Sequence, residues 1–171
     1  MRELLPEERE LLAKLSELGS IEIGLFEVTT TQLEKSIVDA NFLIRRSFLT
    51  TGYHDFENQD QGKEEKVLKK IFFLSDNSLS ETSMSLYRPS TKEGDPRLWI
   101  YNLTNLSPDT LPEDVIAIIQ NGTDCVSLNI SLSTRKNQDL QTIYSLFASQ
   151  TQTESPAALE LLNELELIAS R

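Results

Sequence analysis

Hydrophobic positions repeat at helical spacing near both ends of the chain and alternate, as in strands, through much of the middle. A first amphipathic helix is predicted over about residues 6–18, because leucines share one face and Pro6 suits a first helical position. Residues 21–28 then alternate as a strand does. Thr29 to Glu34 has the pattern of a capping box, and the apolar spacing after it predicts one helix that continues to about Gly52.

The middle of the chain carries five further runs with the length and composition of strands. They follow a polar loop between Gly52 and Gly62, and Asn121-Gly122 between the last two runs is a strong hairpin signal. Helices are predicted again over 139–147 and from Ser155 onward, on either side of a linker rich in Ser, Thr and Gln. The predicted strands are Lys66–Leu74, Ser83–Tyr87, Arg97–Asn102, Val115–Gln120 and Cys125–Ser131.

These elements predict an α+β fold: a central, mainly antiparallel sheet or partly closed pseudobarrel of five to seven strands, flanked by N- and C-terminal helices. Residues 1–150 are predicted to form this domain, and residues 151–171 a linker and a helix. No apolar run approaches the roughly 18 residues of a membrane-spanning helix, and the N-terminus lacks the apolar stretch of a signal peptide. We therefore expect a cytoplasmic protein without a membrane partner, and a buried Cys125.

The net charge of −11 argues against a general affinity for nucleic acid, because phosphate contacts supply most non-specific binding. The acids, however, gather at the ends: residues 1–28 carry seven acids and three bases, and residues 151–171 carry four acids and one base. Between them, residues 29–150 are only mildly acidic, with sixteen acids against twelve bases. A basic face on this middle portion is compatible with the composition, although such groups of bases are more often solvated surface.

No set of residues in the sequence makes a complete catalytic site. Asp55 followed by Glu64-Glu65-Lys66 has the residue order of metal-dependent nucleases, but Glu64 lies in a charged loop and not at the end of an apolar strand. His54 is the one histidine, and Asp55 beside it in sequence is poorly placed to orient it in a triad. We predict no catalytic residue, no metal site and no cofactor in this chain.

The polar loop, Tyr53–Gly62, and the connector, Arg88–Arg97, instead offer groups that read DNA. Amides bond to an adenine edge, and arginine reads guanine or holds phosphate. The alternatives are that the amides form turns, that His54 is a structural hydrogen-bonding residue and that Trp99 lies in the core. The candidate DNA-binding residues are Tyr53, His54, Asn58, Gln59, Gln61, Arg88, Lys92 and Arg97, with Arg45, Arg46, Lys69 and Lys70 as candidates for steering phosphates.

Three stretches of the sequence resemble one family of proteins. They are Thr31–Asn41 (TQLEKSIVDAN), Gly52–Gly62 (GYHDFENQDQG) and Ser85–Ile100 (SLYRPSTKEGDPRLWI). Together they are similar to the N-terminal region that precedes the nuclease in members of the MvaI/BcnI family of type II restriction endonucleases. The resemblance extends from about residue 20 to the end of the chain. In related endonucleases, extra N-terminal domains are DNA-binding pseudobarrels, so the resemblance implies such a fold.

The resemblance implies a DNA-binding recognition module of a restriction endonuclease, a protein of phage defence, with double-stranded DNA as its partner. It also implies a nuclease domain as a second partner, which would begin after Arg171 and would bring its own Mg²⁺ and catalytic residues. The last predicted helix, Leu161–Ala169, looks like the segment that leads into that nuclease. The alternative is a protein-interaction or autoinhibitory module, in which the acidic end helices mask a basic surface on the nuclease.

Overall fold

Seven strands and four α-helices make up the part of the chain that the computed structural model describes, which is residues 1–17, 22–62, 65–74, 79–103, 108–120, 125–136 and 163. The helices are α1 (Pro6–Leu15), α2 (Thr30–Lys35), α3 (Phe42–Thr51) and α4 (Ile130–Arg135). The strands are β1 (Glu22–Glu27), β2 (Ile37–Asp39), β3 (Val67–Leu74), β4 (Leu79–Tyr87), β5 (Arg97–Ile100), β6 (Val115–Gln120) and β7 (Cys125–Asn129).

All of these strands belong to one sheet, which curls into a half-barrel in the order β1-β6-β7-β3-β4-β5-β2. Every neighbouring pair is antiparallel except β3 and β7, which run parallel. The predicted α+β fold with a mainly antiparallel, partly closed sheet is confirmed. The Asn121-Gly122 turn and the helices predicted over 139–147 and from Ser155 onward lie outside the described residues, apart from Asn163, which is helical.

The single long helix predicted after Thr29 is wrong, because a short strand interrupts it. α2 begins as predicted, with the Gln32 N–H donating to the Thr29 hydroxyl over 3.1 Å. The helix ends at Ser36, which adopts a left-handed conformation (φ 59°), and β2 then pairs its Val38 with Leu98 of β5. The two β-branched residues of β2 suit a strand, and their pairing with β5 outweighs the helical spacing of the apolar positions.

The main core lies between the sheet and α3, on what we call the inner face of the sheet. Ile44 and Phe48 of α3 are fully buried there, and α3 packs on β1 and β6. Gly24 of β1 permits this close approach, since a Cβ at that position would lie 2.9 Å from the Cα of Ile44. Successive residues of a strand point to opposite faces, so the side chains between the core positions lie on the outer face.

The last strand is shorter than predicted, because β7 ends at Asn129 and α4 begins directly after it. The Asn129 side-chain oxygen accepts the Leu132 N–H over 2.9 Å and so caps the helix. α1 packs against α4, and its Leu11 and Leu15 are buried. Cys125 is buried in β7, as predicted. No helix in the described ranges combines the length and the apolar composition that crossing a membrane requires.

Candidate nucleic-acid interface

The fold brings the polar loop and the connector together at one end of β3 and β4. The Gly62 N–H donates to the Arg88 carbonyl over 2.8 Å. The Arg88 guanidinium then donates to two carbonyls, that of Gly94 at 2.9 Å and that of Gln59 at 3.2 Å. Because one side chain bonds to both segments, they form a single substructure, which we call the loop–connector junction. Arg88 is therefore partly engaged in holding this junction.

The side chain of Gln59 points into the fold, where all of its polar atoms bond to protein. Its Nε2 donates to the carbonyls of Glu65 at 2.7 Å and Leu86 at 2.9 Å. Its Oε1 lies 3.0 Å from His54 Nε2, and the residue is only 9 % exposed. In this arrangement the Gln59 amide has no free edge to offer to an adenine, and it anchors the polar loop to β4.

His54 is half-buried beside this amide and stacks edge-on against Phe56, with the ring centroids 4.4 Å apart. Burial lowers the pKa of His54, the bond to Gln59 partly opposes that shift, and the Lys69 ammonium adds to it. The ring is accordingly neutral near pH 7, with Nε2–H donating to Gln59. This geometry agrees with the structural alternative for His54.

Tyr53 and Lys69 also lie against the core of the protein. Tyr53 is 3 % exposed, packs on Phe48 with ring centroids 4.9 Å apart, and directs its hydroxyl at the Lys70 carbonyl, 3.3 Å away. The Lys69 ammonium stands 4.8 Å from the centroid of the Tyr53 ring. Tyr53 is thus a residue of the main core.

The exposed amides of the junction are those of Asn58 and Gln61. Asn58 Nδ2 donates to an Asp55 carboxylate oxygen over 2.6 Å, which forms a local turn. Gln61 Nε2 makes one long contact, 3.3 Å, to the Glu93 carbonyl. A single long hydrogen bond at the surface is readily exchanged for another partner, so Gln61 is the amide best placed to bind a ligand.

The remaining candidate bases do not gather in one place. Arg45 and Arg46 lie on α3, where Arg45 donates to the Ala40 carbonyl over 2.6 Å and Arg46 stands 5.6 Å above the Phe42 ring. Lys70 lies on β3 and pairs with Glu81 at 3.2 Å. The side chain of Lys92 lies outside the described part of the structure.

Arg97 and Trp99 lie on the outer face of β5. The alternative that Trp99 lies in the core is wrong: the residue is 39 % exposed, because Leu98 and Ile100 on either side of it occupy the core positions. Arg97 lies 3.8 Å from the Asp39 carboxylate, and its buried Nε has no hydrogen-bond partner among the described residues. The outer face of β5 therefore offers a cation and an indole ring side by side.

Sequence reasoning missed a polar cluster where α1 meets α4. Arg2 forms an ion pair at 2.8 Å with the fully buried Glu8, which also accepts a hydrogen bond from Ser131. The bond from Arg2 is the main cause that lowers the pKa of Glu8 to about 2. The hydrogen bond from Ser131 connects this ion pair to a residue far along the chain, and no local pattern in the sequence predicts that contact.

A second pair in the same cluster joins Asp114 to Arg135. Burial opposes ionisation of Asp114, but hydrogen bonds from Arg135, Leu111 and Asn129 outweigh it and lower the pKa of the carboxyl. The cluster lines a cleft of about 370 Å³, and its charged groups neutralise one another in pairs. We interpret it as a clamp that fastens the N-terminal segment to α4.

No group of three or more His, Cys, Asp or Glu residues in the described ranges is arranged to hold a metal ion. Glu64, the middle member of the Asp55–Glu64–Lys66 arrangement, lies outside those ranges. No family model matches this sequence, and neither a curated protein nor a solved structure is significantly similar to it.

Proposed function

We propose that this chain is the DNA-binding recognition module of a restriction endonuclease and has no catalytic residues of its own. The observation that carries the proposal is the loop–connector junction. The polar loop and the connector supply most of the sequence resemblance to restriction endonucleases, and they are joined in the fold through Arg88. Two segments that recognise one ligand must lie together, and the polar loop and the connector are in direct contact.

The junction supports recognition because buried hydrogen bonds fix its backbone, which we call the frame. The exposed side chains around that frame, which we call the rim, remain accessible to a ligand. Gln59 and Arg88 satisfy buried carbonyls and hold the backbone in place. Gln61 and Asn58 stand at the exposed rim with amides of the type that bonds bidentately to adenine. A preorganised frame reduces the entropy lost on binding, so even a few base contacts yield specificity.

The charges near the junction favour specific over non-specific binding. The rim carries exposed acids, Glu57, Asp60 and Asp95, which repel phosphates. Cations stand beside it on the outer face of the sheet, where Arg97 begins β5 and Lys66 precedes β3. We expect DNA to approach from that side, and we expect weak general affinity from a chain of net charge −11.

The decisive experiment is selection from a random duplex library at about 50 mM salt. A DNA module enriches a short motif, and its binding weakens steeply toward 200 mM salt, because each phosphate contact contributes roughly one unit to the salt slope. Arg97→Ala should reduce that slope for every sequence, whereas Arg9→Ala, an equal charge change at an exposed position of α1, should leave it nearly unchanged.

Gln61→Ala tests reading separately from phosphate binding. Loss of a bidentate base contact should reduce discrimination between the selected and a mutated site by about 1–3 kcal/mol, with little change in the salt slope. A library that enriches nothing would overturn the proposal. If the chain then also bound the nuclease portion of its parent protein in trans, the protein-interaction alternative would take its place.

A further inference from the structure

The outer face of β3, β4 and β5 forms a shallow lane along β4, with a floor of small hydroxyl residues and two taller walls. Across the sheet, Leu68 is in register with Ser85, which is in register with Trp99, and Lys70 is in register with Ser83, whose carbonyl accepts the Tyr101 N–H. The walls stand two strand spacings apart, roughly 10 Å. The floor of this β4 lane is Ser83 and Ser85, and its walls are Leu68 with Lys70 and Trp99 with Tyr101.

The walls of the β4 lane expose large apolar and aromatic side chains to solvent. Leu68 is 70 % exposed, Tyr101 59 % and Trp99 39 %. At one end of the lane the Lys66 ammonium stands 4.5 Å from the Trp99 ring centroid and 5.0 Å from that of Tyr87. Among the described residues, no carboxylate lies within 4.0 Å of this ammonium. The lane therefore combines aromatic surface with a cation that has no carboxylate partner among the described residues.

We propose that the β4 lane binds single-stranded DNA, with a base stacked in contact with Trp99 and the backbone phosphates near Lys66. Aromatic rings beside a positively charged track are the common requirement for binding a single strand without sequence preference. A lane of this width accepts one extended strand and excludes a duplex. The inference rests on the proposed function, since it names the form of DNA that the sheet of this DNA-binding module accepts.

An extended peptide fits the same lane less well. Peptides that bind to sheets add a strand at a free edge, where backbone groups are unpaired. β4 is paired on both sides, with β3 and with β5, and offers no such edge. A nucleic acid needs no backbone edge, because its bases stack and its phosphates pair with lysine.

The test uses Trp99 itself, because it is the one tryptophan of the chain. We expect a thymidine oligonucleotide of about twelve nucleotides to quench the tryptophan fluorescence of the full chain with a saturable curve. An abasic oligonucleotide of equal length carries the same phosphates without bases, and it should bind at least about fivefold more weakly. Equal affinity for both, or binding of neither, would overturn the inference.

Trp99→Leu should weaken binding of a labelled thymidine oligonucleotide by at least about fivefold in an anisotropy titration, since one base–aromatic stack is lost. Phe42→Leu is the matched control, because Phe42 is 62 % exposed and also has a cation, Arg46, over its ring, but lies on α3. If Trp99→Leu does not fold, Ser85→Tyr fills the floor of the lane and leaves both walls intact. Undiminished binding by whichever variant folds would refute the assignment.

The two proposals fail separately. If duplex selection succeeds but the thymidine oligonucleotide leaves the fluorescence unchanged, the proposal for the β4 lane is refuted and the recognition module stands. If the thymidine oligonucleotide quenches the fluorescence but selection enriches no duplex motif, the proposal for the lane stands and duplex recognition is refuted.

Discussion

Gln59 and Gln61 are two residues apart in the polar loop, and the structure gives them opposite roles. Gln59→Ala removes three side-chain hydrogen bonds and leaves the carbonyl of Leu86 without its donor from Gln59. An unsatisfied buried acceptor costs about 1–3 kcal/mol. We therefore expect the free energy of unfolding to fall by about 2–3 kcal/mol. Gln61→Ala removes one long contact at the surface and should change it by less than about 0.5 kcal/mol.

Urea denaturation followed by circular dichroism measures both variants against the unaltered chain. The loss of about 2–3 kcal/mol expected for Gln59→Ala corresponds to a drop of roughly 5–10 °C in melting temperature for a chain of this length. In DNA binding the order of the two effects should be the reverse of that in stability. Gln61→Ala should reduce discrimination between sites, whereas Gln59→Ala should change affinity only as far as it loosens the polar loop. The reasoning would be refuted if Gln59→Ala kept full stability and lost site discrimination, since Gln59 would then be reading a base.

Three further outcomes follow from individual contacts. Glu8→Gln should lower the free energy of unfolding by about 2–3 kcal/mol at pH 7. In the unaltered chain that contribution is present above pH 4.5 and is lost as the pH falls toward 2, so the difference in stability between the two proteins, measured by urea denaturation, should be smaller at pH 3 than at pH 7. Gly24→Ala should cost about 1–3 kcal/mol by thermal denaturation, because its Cβ meets the Ile44 backbone, and an unchanged melting temperature would mean that α3 shifts freely. With Mg²⁺ or Mn²⁺ the chain should leave duplex DNA intact, since the Asp55 carboxylate is already bonded within its own turn; cleavage that disappears on Glu64→Ala would contradict this.

The sequence predicted those elements whose signals are local. β6 matches its predicted bounds, Val115–Gln120, because an unbroken apolar run between turn residues leaves little choice for a strand buried on both faces. α2 starts at its capping box for the same kind of reason. The break at Ser36 was not predictable, since β2 exists only through its pairing with β5, about sixty residues later. Apolar spacing alone cannot distinguish that case from a continuous helix.

The sequence singled out the two segments of the candidate site but not how their individual side chains are placed. Residue type indicated that the polar loop and the connector carry groups able to bind DNA, and the fold brings these two segments together. Residue type could not separate Gln59 from Gln61, because the two differ in burial and not in chemistry. The burial of Trp99 was not predictable for a related reason. When a residue and both of its neighbours in a strand are apolar, only the pairing of the strand shows which face belongs to the core.

The pairing of β1 has a consequence for how the protein is made. β1 is the first strand of the described chain, and its neighbour in the sheet is β6, with Leu25 opposite Ala117. Contacts between residues this far apart in sequence slow folding, because a long loop must close before they form. On the ribosome, β1 and α3 can pack on each other early, but β1 has no neighbouring strand until about ninety more residues have been synthesised. A nascent chain halted before residue 115 should therefore expose Phe26 and Ile44 to chaperones, and its first strand should be among the last to become resistant to proteolysis.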